Sequence, residues 1–173
     1  MALTLISFAT NFMLLLSLLV IASATDGGYV PKPDLHKPKL DEEKLLSTKI
    51  AIQGLVYCKS GSKLTPLEGA VTRITCEAVD EYGFETTPFT FLSDTSDAEG
   101  FFFATLCPSE VANNSKLKQE CKVFLELSPS ETCNVPTDIN KGITGSDLLP
   151  NSYRFLNHKK MKLYTVGPFY FTT

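Results

Sequence analysis

Residues 50–76, IAIQGLVYCKSGSKLTPLEGAVTRITC, read as a strand, a loop and a second strand. In the first strand Ile50, Ile52 and Val56 fall on one side of an extended chain, and Ala51, Leu55 and Tyr57 on the other. Both sides are apolar, which predicts a central strand covered on both faces. Gly54 inside it predicts a bulge or a close backbone approach. Lys59 to Leu67, with Gly61 and Pro66, reads as loop. Beyond it Ala70, Thr72, Ile74, Cys76 and Ala78 alternate with Val71, Arg73, Thr75 and Glu77, the signature of a half-buried strand with one wet face.

The same period continues outward from this stretch. Phe89 to Phe91 forms a short strand, Ser93 to Gly100 (SDTSDAEG) is a turn by composition, and Phe101 to Leu106 is a strand. Residues 109–119 are polar and read as a loop with a helical turn. Cys121 to Leu127 alternates as a strand, and a long turn-rich connection follows it. Met161 to Tyr164 and Phe169 to Phe171 are strands split at Gly167-Pro168. About seven short strands without a long amphipathic helix predict an all-β fold, an antiparallel β-sandwich or partly closed barrel. The phenylalanines sit in strand patterns, so they read as core.

Residues 1–24 carry an apolar run ending in Ala22-Ser23-Ala24 and read as a cleaved signal peptide. The run is short for a spanning helix, so no membrane association is expected after cleavage. Residues 25–48 place Pro31, Pro33 and Pro38 among lysines and read as an extended arm or linker. The β-domain spans 49–173.

Net charge is −3, unevenly distributed. Residues 50–140 are acidic. The C-terminal end is basic, with Arg154, Lys159, Lys160 and Lys162 after the last acid, Asp147. An acidic chain with one small basic end argues against nucleic acid. Two readings of these cations stand side by side: contact with an acidic polymer, and plain solvation of a surface. The sequence has no G-x-S-x-G, HExxH or P-loop. Asp80, Glu81, Asp94, Asp97 and Glu99 fall in turns and read as a solvated rim rather than a glycosidase pair. The turn around Asp97 does not match an EF-hand loop, and His36 and His158 lie far from the cysteines. No enzyme activity, metal or cofactor is expected. Asn113-Asn114-Ser115 is an N-glycosylation sequon on Asn113.

Several blocks carry a family resemblance: GLVYC, PLEGAVTRITC, DAEGFFF, LCP and KQECKVFLELSPSETCNVPTDINKGITG, in this order. From Ile50 to the C-terminus the chain resembles the plant pollen-allergen and extensin family, named for the major olive pollen allergen, and in part also transthyretin-like sandwich modules. The resemblance implies a secreted, non-enzymatic cell-wall protein, disulfide-bonded and glycosylated, in tip-growing cells such as pollen tubes and root hairs. The partners it suggests are wall polysaccharide such as pectin, or wall glycoproteins. The alternative is a signalling or ligand-carrying module that presents loops to a receptor or holds a small apolar ligand.

The family has six cysteines where this chain has five. The second position of its CxxC is Gly61 here. Family connectivity carried over by position implies Cys58–Cys121 and Cys76–Cys107, leaving Cys133 over. Its turn-like setting, ETCNVPTD, predicts exposure. An inert thiol, a bridge to a partner chain as a covalent dimer, and capping by a small thiol all remain open for it.

Overall fold

The computed structural model of the protein describes residues 48–111 and 115–173. The leader, the arm up to residue 47 and Asn113 of the sequon lie outside the described residues. The described residues form ten strands: β1 (Lys49–Ser60), β2 (Lys63–Pro66), β3 (Val71–Asp80), β4 (Glu85–Leu92), β5 (Phe101–Leu106), β6 (Ser115–Leu127), β7 (Val135–Pro136), β8 (Ser146–Asp147), β9 (Tyr153–Leu156) and β10 (Met161–Thr172).

They make two open sheets packed as a sandwich. One has the order β2-β1-β10-β7, with β5 also on β1 and β9 also on β10. The other runs β4-β3-β6-β8. The expected all-β sandwich is what forms, and neither sheet closes into a barrel. One pairing departs from the antiparallel expectation, because β1 and β10 run parallel. The last strand of the domain therefore lies beside the first, which a sequence pattern does not reveal.

β1 is central, as its two apolar faces predict. Ile50, Ile52 and Val56 are fully buried between the sheets, and Ala51 is buried on the outer face. Leu55 and Tyr57 are only half-buried, so the outer cover is incomplete. Gly54 is the close backbone approach its position predicts, and the bulge lies opposite it, in β10. A Cβ on Gly54 would sit 2.6 Å from the Phe102 ring and 2.7 Å from the Val166 carbonyl oxygen, and the β1–β10 register shifts between Gly54 and Val56.

That shift also explains the expected break at Gly167-Pro168. Across it β1 advances from Gly54 to Val56 while β10 advances from Val166 to Phe169. The extra residue is a bulge within one continuous strand, and it lets Val166 and Phe169 both point inward.

The core forms where the sheets face each other. Phe102 and Phe169 stack at 6.3 Å between ring centroids, beside Phe171, Ile74, Val123 and Leu106. Each such side chain contributes about 1.5–3 kcal/mol through removal from water. β3 keeps the predicted alternation, with Thr72, Ile74, Cys76 and Ala78 buried and Arg73, Thr75 and Glu77 toward solvent.

β6 begins at Ser115, well before the expected Cys121, because Leu117 is buried against β3 opposite Ala78. The segment read as loop at Lys63 to Pro66 is the edge strand β2. The brief strands β7, β8 and β9 were also absent from the sequence reading. Each is too short to show a period and exists through its neighbour.

The cysteine pairing implied by the family is overturned. Cys76 bonds Cys121, and Cys58 bonds Cys133. Register dictates the first bridge: Cys76 and Cys121 stand directly opposite in the β3–β6 ladder, with Cα atoms 4.0 Å apart. The second follows from β7. Its pairing of Val135 and Pro136 with Thr172 and Phe171 carries Cys133 to the end of β10, whose Phe171 is paired with Cys58 of β1. Cys133 is therefore neither exposed nor a free thiol. It is 2% exposed, its N–H donates to Ser130 Oγ and its carbonyl accepts from Ser128 Oγ. A covalent dimer through Cys133 is excluded by the same bridge. The fifth cysteine, Cys107, follows β5 and belongs to neither bridge.

Candidate functional site

Four residues singled out for their charge, Arg154, Lys159, Lys160 and Lys162, share one hairpin. β9 pairs antiparallel with the start of β10, from Leu156 opposite Met161 to Tyr153 opposite Tyr164. The turn Asn157-His158-Lys159-Lys160 closes with Lys159 N–H to the Leu156 carbonyl (3.1 Å) and Lys160 N–H to the Asn157 carbonyl (3.3 Å). Lys159 and Lys160 are exposed at its tip.

The other two cations split between faces. Cross-strand partners share a face. Arg154 stands opposite Leu163 on the outer face, and Lys162 opposite Phe155 on the inner one. The second sheet does not cover the inner face of β9, so Tyr153 and Phe155 are 38% and 47% exposed. Lys162 Nζ lies 4.7 Å from the Tyr153 ring centroid, a cation–π contact of about 0.5–1 kcal/mol at an exposed site. Tyr153 also meets the Tyr164 ring at 5.7 Å. Burial, with a smaller contribution from Tyr153, raises the Tyr164 phenol above its ordinary pKa.

Clustering of unpaired cations marks this hairpin. Four cations elsewhere meet acids: Arg73 with Glu126 at 2.9 Å, Lys118 with Glu85 at 2.9 Å and Glu77 at 3.2 Å, Lys141 and Lys122 with Asp147 at 2.6 and 3.6 Å. Lys59 and Lys63, exposed at the other end of β1, are likewise without an ion pair among the described residues. Arg154, Lys159, Lys160 and Lys162 make no ion pair among the described residues, and the sequence carries no acid after Asp147. Lys49, paired with Met161 at the same end of the sheet, is exposed and adds a fifth cation that the sequence reading missed. Phe155 was missed too, and nothing in the sequence ranks Tyr153 above the other tyrosines as a binding aromatic. Only the absent cover distinguishes them from core aromatics.

A clamped loop lies against β10 at Pro168. Asn140 and Lys141 both adopt left-handed φ, 55° and 61°. Such residues cost about 1–3 kcal/mol each and persist where their surroundings over-determine them. Here Asn140 Nδ2 donates to the Pro168 carbonyl at 2.8 Å. Asp138 accepts the N–H groups of Ile143 (3.0 Å) and Thr144 (2.8 Å) and the Thr144 hydroxyl (3.0 Å). These bonds, with Thr144 foremost, hold the Asp138 carboxyl below its ordinary pKa. Lys141 does the same for Asp147.

The acids of the rim serve the backbone of turns: Asp80 ends β3 and Asp97 lies before β5. Asp80 accepts from the N–H groups of Tyr82 and Phe84, and Asp97 from those of Glu99 and Phe101. No group of three or more metal-ligating side chains assembles among the described residues. No helix among them is long and apolar enough to cross a membrane.

The chain is 39% identical over 173 residues to the protein named seed and root hair protective protein of Arabidopsis thaliana, covering 100% of this chain and 97% of that one. It is 38% identical over 122 residues to proline-rich protein 3 of the same plant, matching 70% of this chain but 37% of that longer protein. A pistil-specific extensin-like protein of Nicotiana tabacum is 33% identical over 137 residues, 69% of this chain and 29% of its own. Among solved structures, the major plantain pollen allergen Pla l 1 is similar at a TM-score of 0.45 and 19% identity, over 72% of this chain and 94% of that one. No family model matches the chain.

Proposed function

Because the chain belongs to the plant pollen-allergen and extensin family, we propose that it is a secreted, non-enzymatic protein of the plant cell wall whose basic hairpin holds acidic wall polysaccharide, de-esterified pectin in the first place. The observation that carries this reading is the cluster of cations on the β9–β10 hairpin and its turn, exposed or half-exposed and without acid partners among the described residues. A polyuronate is a row of carboxylates, and a rigid hairpin presents cations to it at little ordering cost. The relatives support the setting. One is named as extensin-like, and another for seed and root hair protection, so we place this protein in tip-growing cells such as root hairs.

The test is retention on immobilised polygalacturonate. Wild-type protein is expected to bind at low ionic strength and to elute as salt shortens the screening length toward about 8 Å at 0.15 M. The double variant Lys159→Glu, Lys160→Glu should elute at much lower salt with an unchanged melting temperature. Absence of wild-type binding at low salt rules the reading out.

A further inference from the structure

One end of the sandwich carries two pairs of exposed aromatics. β5 ends at Leu106, opposite Ile50 near the start of β1, and β6 begins at Ser115, opposite Asp80 at the end of β3. The short connection between them keeps the start of β1 and the end of β3 at the same end of the domain. The β9–β10 hairpin is there too, because Met161 pairs with Lys49. Its Tyr153 and Phe155 form one exposed pair. The other is on the β3–β4 turn, where Tyr82 is 55% and Phe84 40% exposed.

The two pairs sit in opposite charge. Around the β3–β4 turn Glu77, Asp80, Glu81 and Glu85 outnumber Lys116 and Lys118, and the turn is acidic. The hairpin around Tyr153 and Phe155 carries cations alone. The turn belongs to one sheet and the hairpin to the other, and among the described residues no ion pair joins them. The turn is also held rigid. The Asp80 carboxylate accepts the N–H groups of Tyr82 and Phe84, each at 2.9 Å. The Asp80 N–H donates to the Phe84 carbonyl at 2.9 Å, and the Gly83 N–H to the Asp80 carbonyl at 3.1 Å.

An acidic patch with exposed rings is complemented by a basic patch with exposed rings, and this end presents one of each, side by side. A twofold rotation lays each copy's acidic turn on the other's basic hairpin, so both contacts form together and the pair closes. Opposite potentials steer the encounter and fix its register. Tyrosines such as Tyr82 and Tyr153 are among the side chains that dominate interface energies, and preformed turns meet at little ordering cost. We propose that this end is a self-association surface, occupied by a second copy of the chain in a salt-sensitive, non-covalent dimer. The hairpin is the one assigned above to polyuronate, but the dimer follows from the charge and exposure of the two patches and does not rest on that reading.

The experiment is sedimentation velocity of the wild-type protein at rising concentration in low-salt buffer. The sedimentation coefficient should climb from that of a monomer toward that of a dimer. It should fall back as salt passes 0.15 M, where the screening length is about 8 Å. Glu81→Lys with Glu85→Lys, and separately Lys159→Glu with Lys160→Glu, should each weaken self-association by about tenfold or more. An equimolar mixture of these two variants should associate again, because the signs of turn and hairpin are then exchanged between the partners. Tyr82→Ser should also weaken the dimer by about tenfold, with an unchanged melting temperature. The proposal is overturned if the wild type stays monomeric at low salt, if either charge-reversed variant associates alone as the wild type does, or if their mixture stays monomeric. Association that salt and all these variants leave untouched would place the contact on another face and overturn it equally. No polysaccharide is present in this measurement, so the dimer and the retention on polygalacturonate stand or fall separately.

Discussion

Thr72 shows how far a single residue can be read. Alternation predicts its burial, and it is fully buried. Its N–H donates to Ser93 Oγ at 3.0 Å, while its own hydroxyl has no hydrogen-bond partner among the described residues. A buried unsatisfied hydroxyl costs about 1–3 kcal/mol. Thr72→Val keeps the shape and removes that group, so it should raise stability by about 1 kcal/mol, read from the urea midpoint. A lower midpoint would show that the hydroxyl has a stabilising partner in solution. Gly54 was legible for a related reason: a glycine inside a strand of large apolar residues signals that something approaches its backbone. Which groups approach, Phe102 and the Val166 carbonyl, required the packed sheets.

At the scale of elements, strands with a long period announced themselves and short ones did not. β1, β3 and β5 follow their alternation closely. β7 and β8 span two residues each, a single period that cannot show a repeat, and are strands only because β10 and β6 offer them an edge. The clamped loop from 138 to 147 is an element of the same kind, composed of turn residues but ordered by Asp138. Its carboxyl is depressed, so the clamp is fully present above the ordinary carboxylate pKa, about 3.9. It is lost as pH falls through the lower folded value. Asp147, depressed by Lys141, follows the same sign. The amide signals of Ile143 and Thr144 should therefore hold steady from pH 7 down to about 4 and change only below it. Movement near pH 6 would contradict the assignment of Asp138 as the clamp.

At the scale of the whole domain, the two bridges have different tasks. Cys76–Cys121 joins neighbours already held by the β3–β6 ladder. Cys58–Cys133 ties the central strand of the first sheet to the connection after β6 and closes a separation of 75 residues. Closing so long a loop restricts the unfolded chain, and replacing both cysteines by alanine should lower stability by about 2–4 kcal/mol. Chemical denaturation of the double variant measures it. A loss well under 1 kcal/mol would mean that β7 docks without the bridge.

The sequence by itself determined the all-β class, the main strands, the faces they bury and the basic end of the chain. Each of these is a local property, set by alternation and composition over a few residues. It also carried the family resemblance, in blocks that keep their order. Only the tertiary structure decided the rest: the parallel pairing of the first and last strands, the bulge that joins two apparent strands into β10, and both disulfide partners. It alone left Tyr153 and Phe155 uncovered and placed the clamped loop against β10, where Asn140 bonds the Pro168 carbonyl. These depend on which segments lie side by side. That is set by register between residues up to about a hundred positions apart, and no local pattern encodes such register.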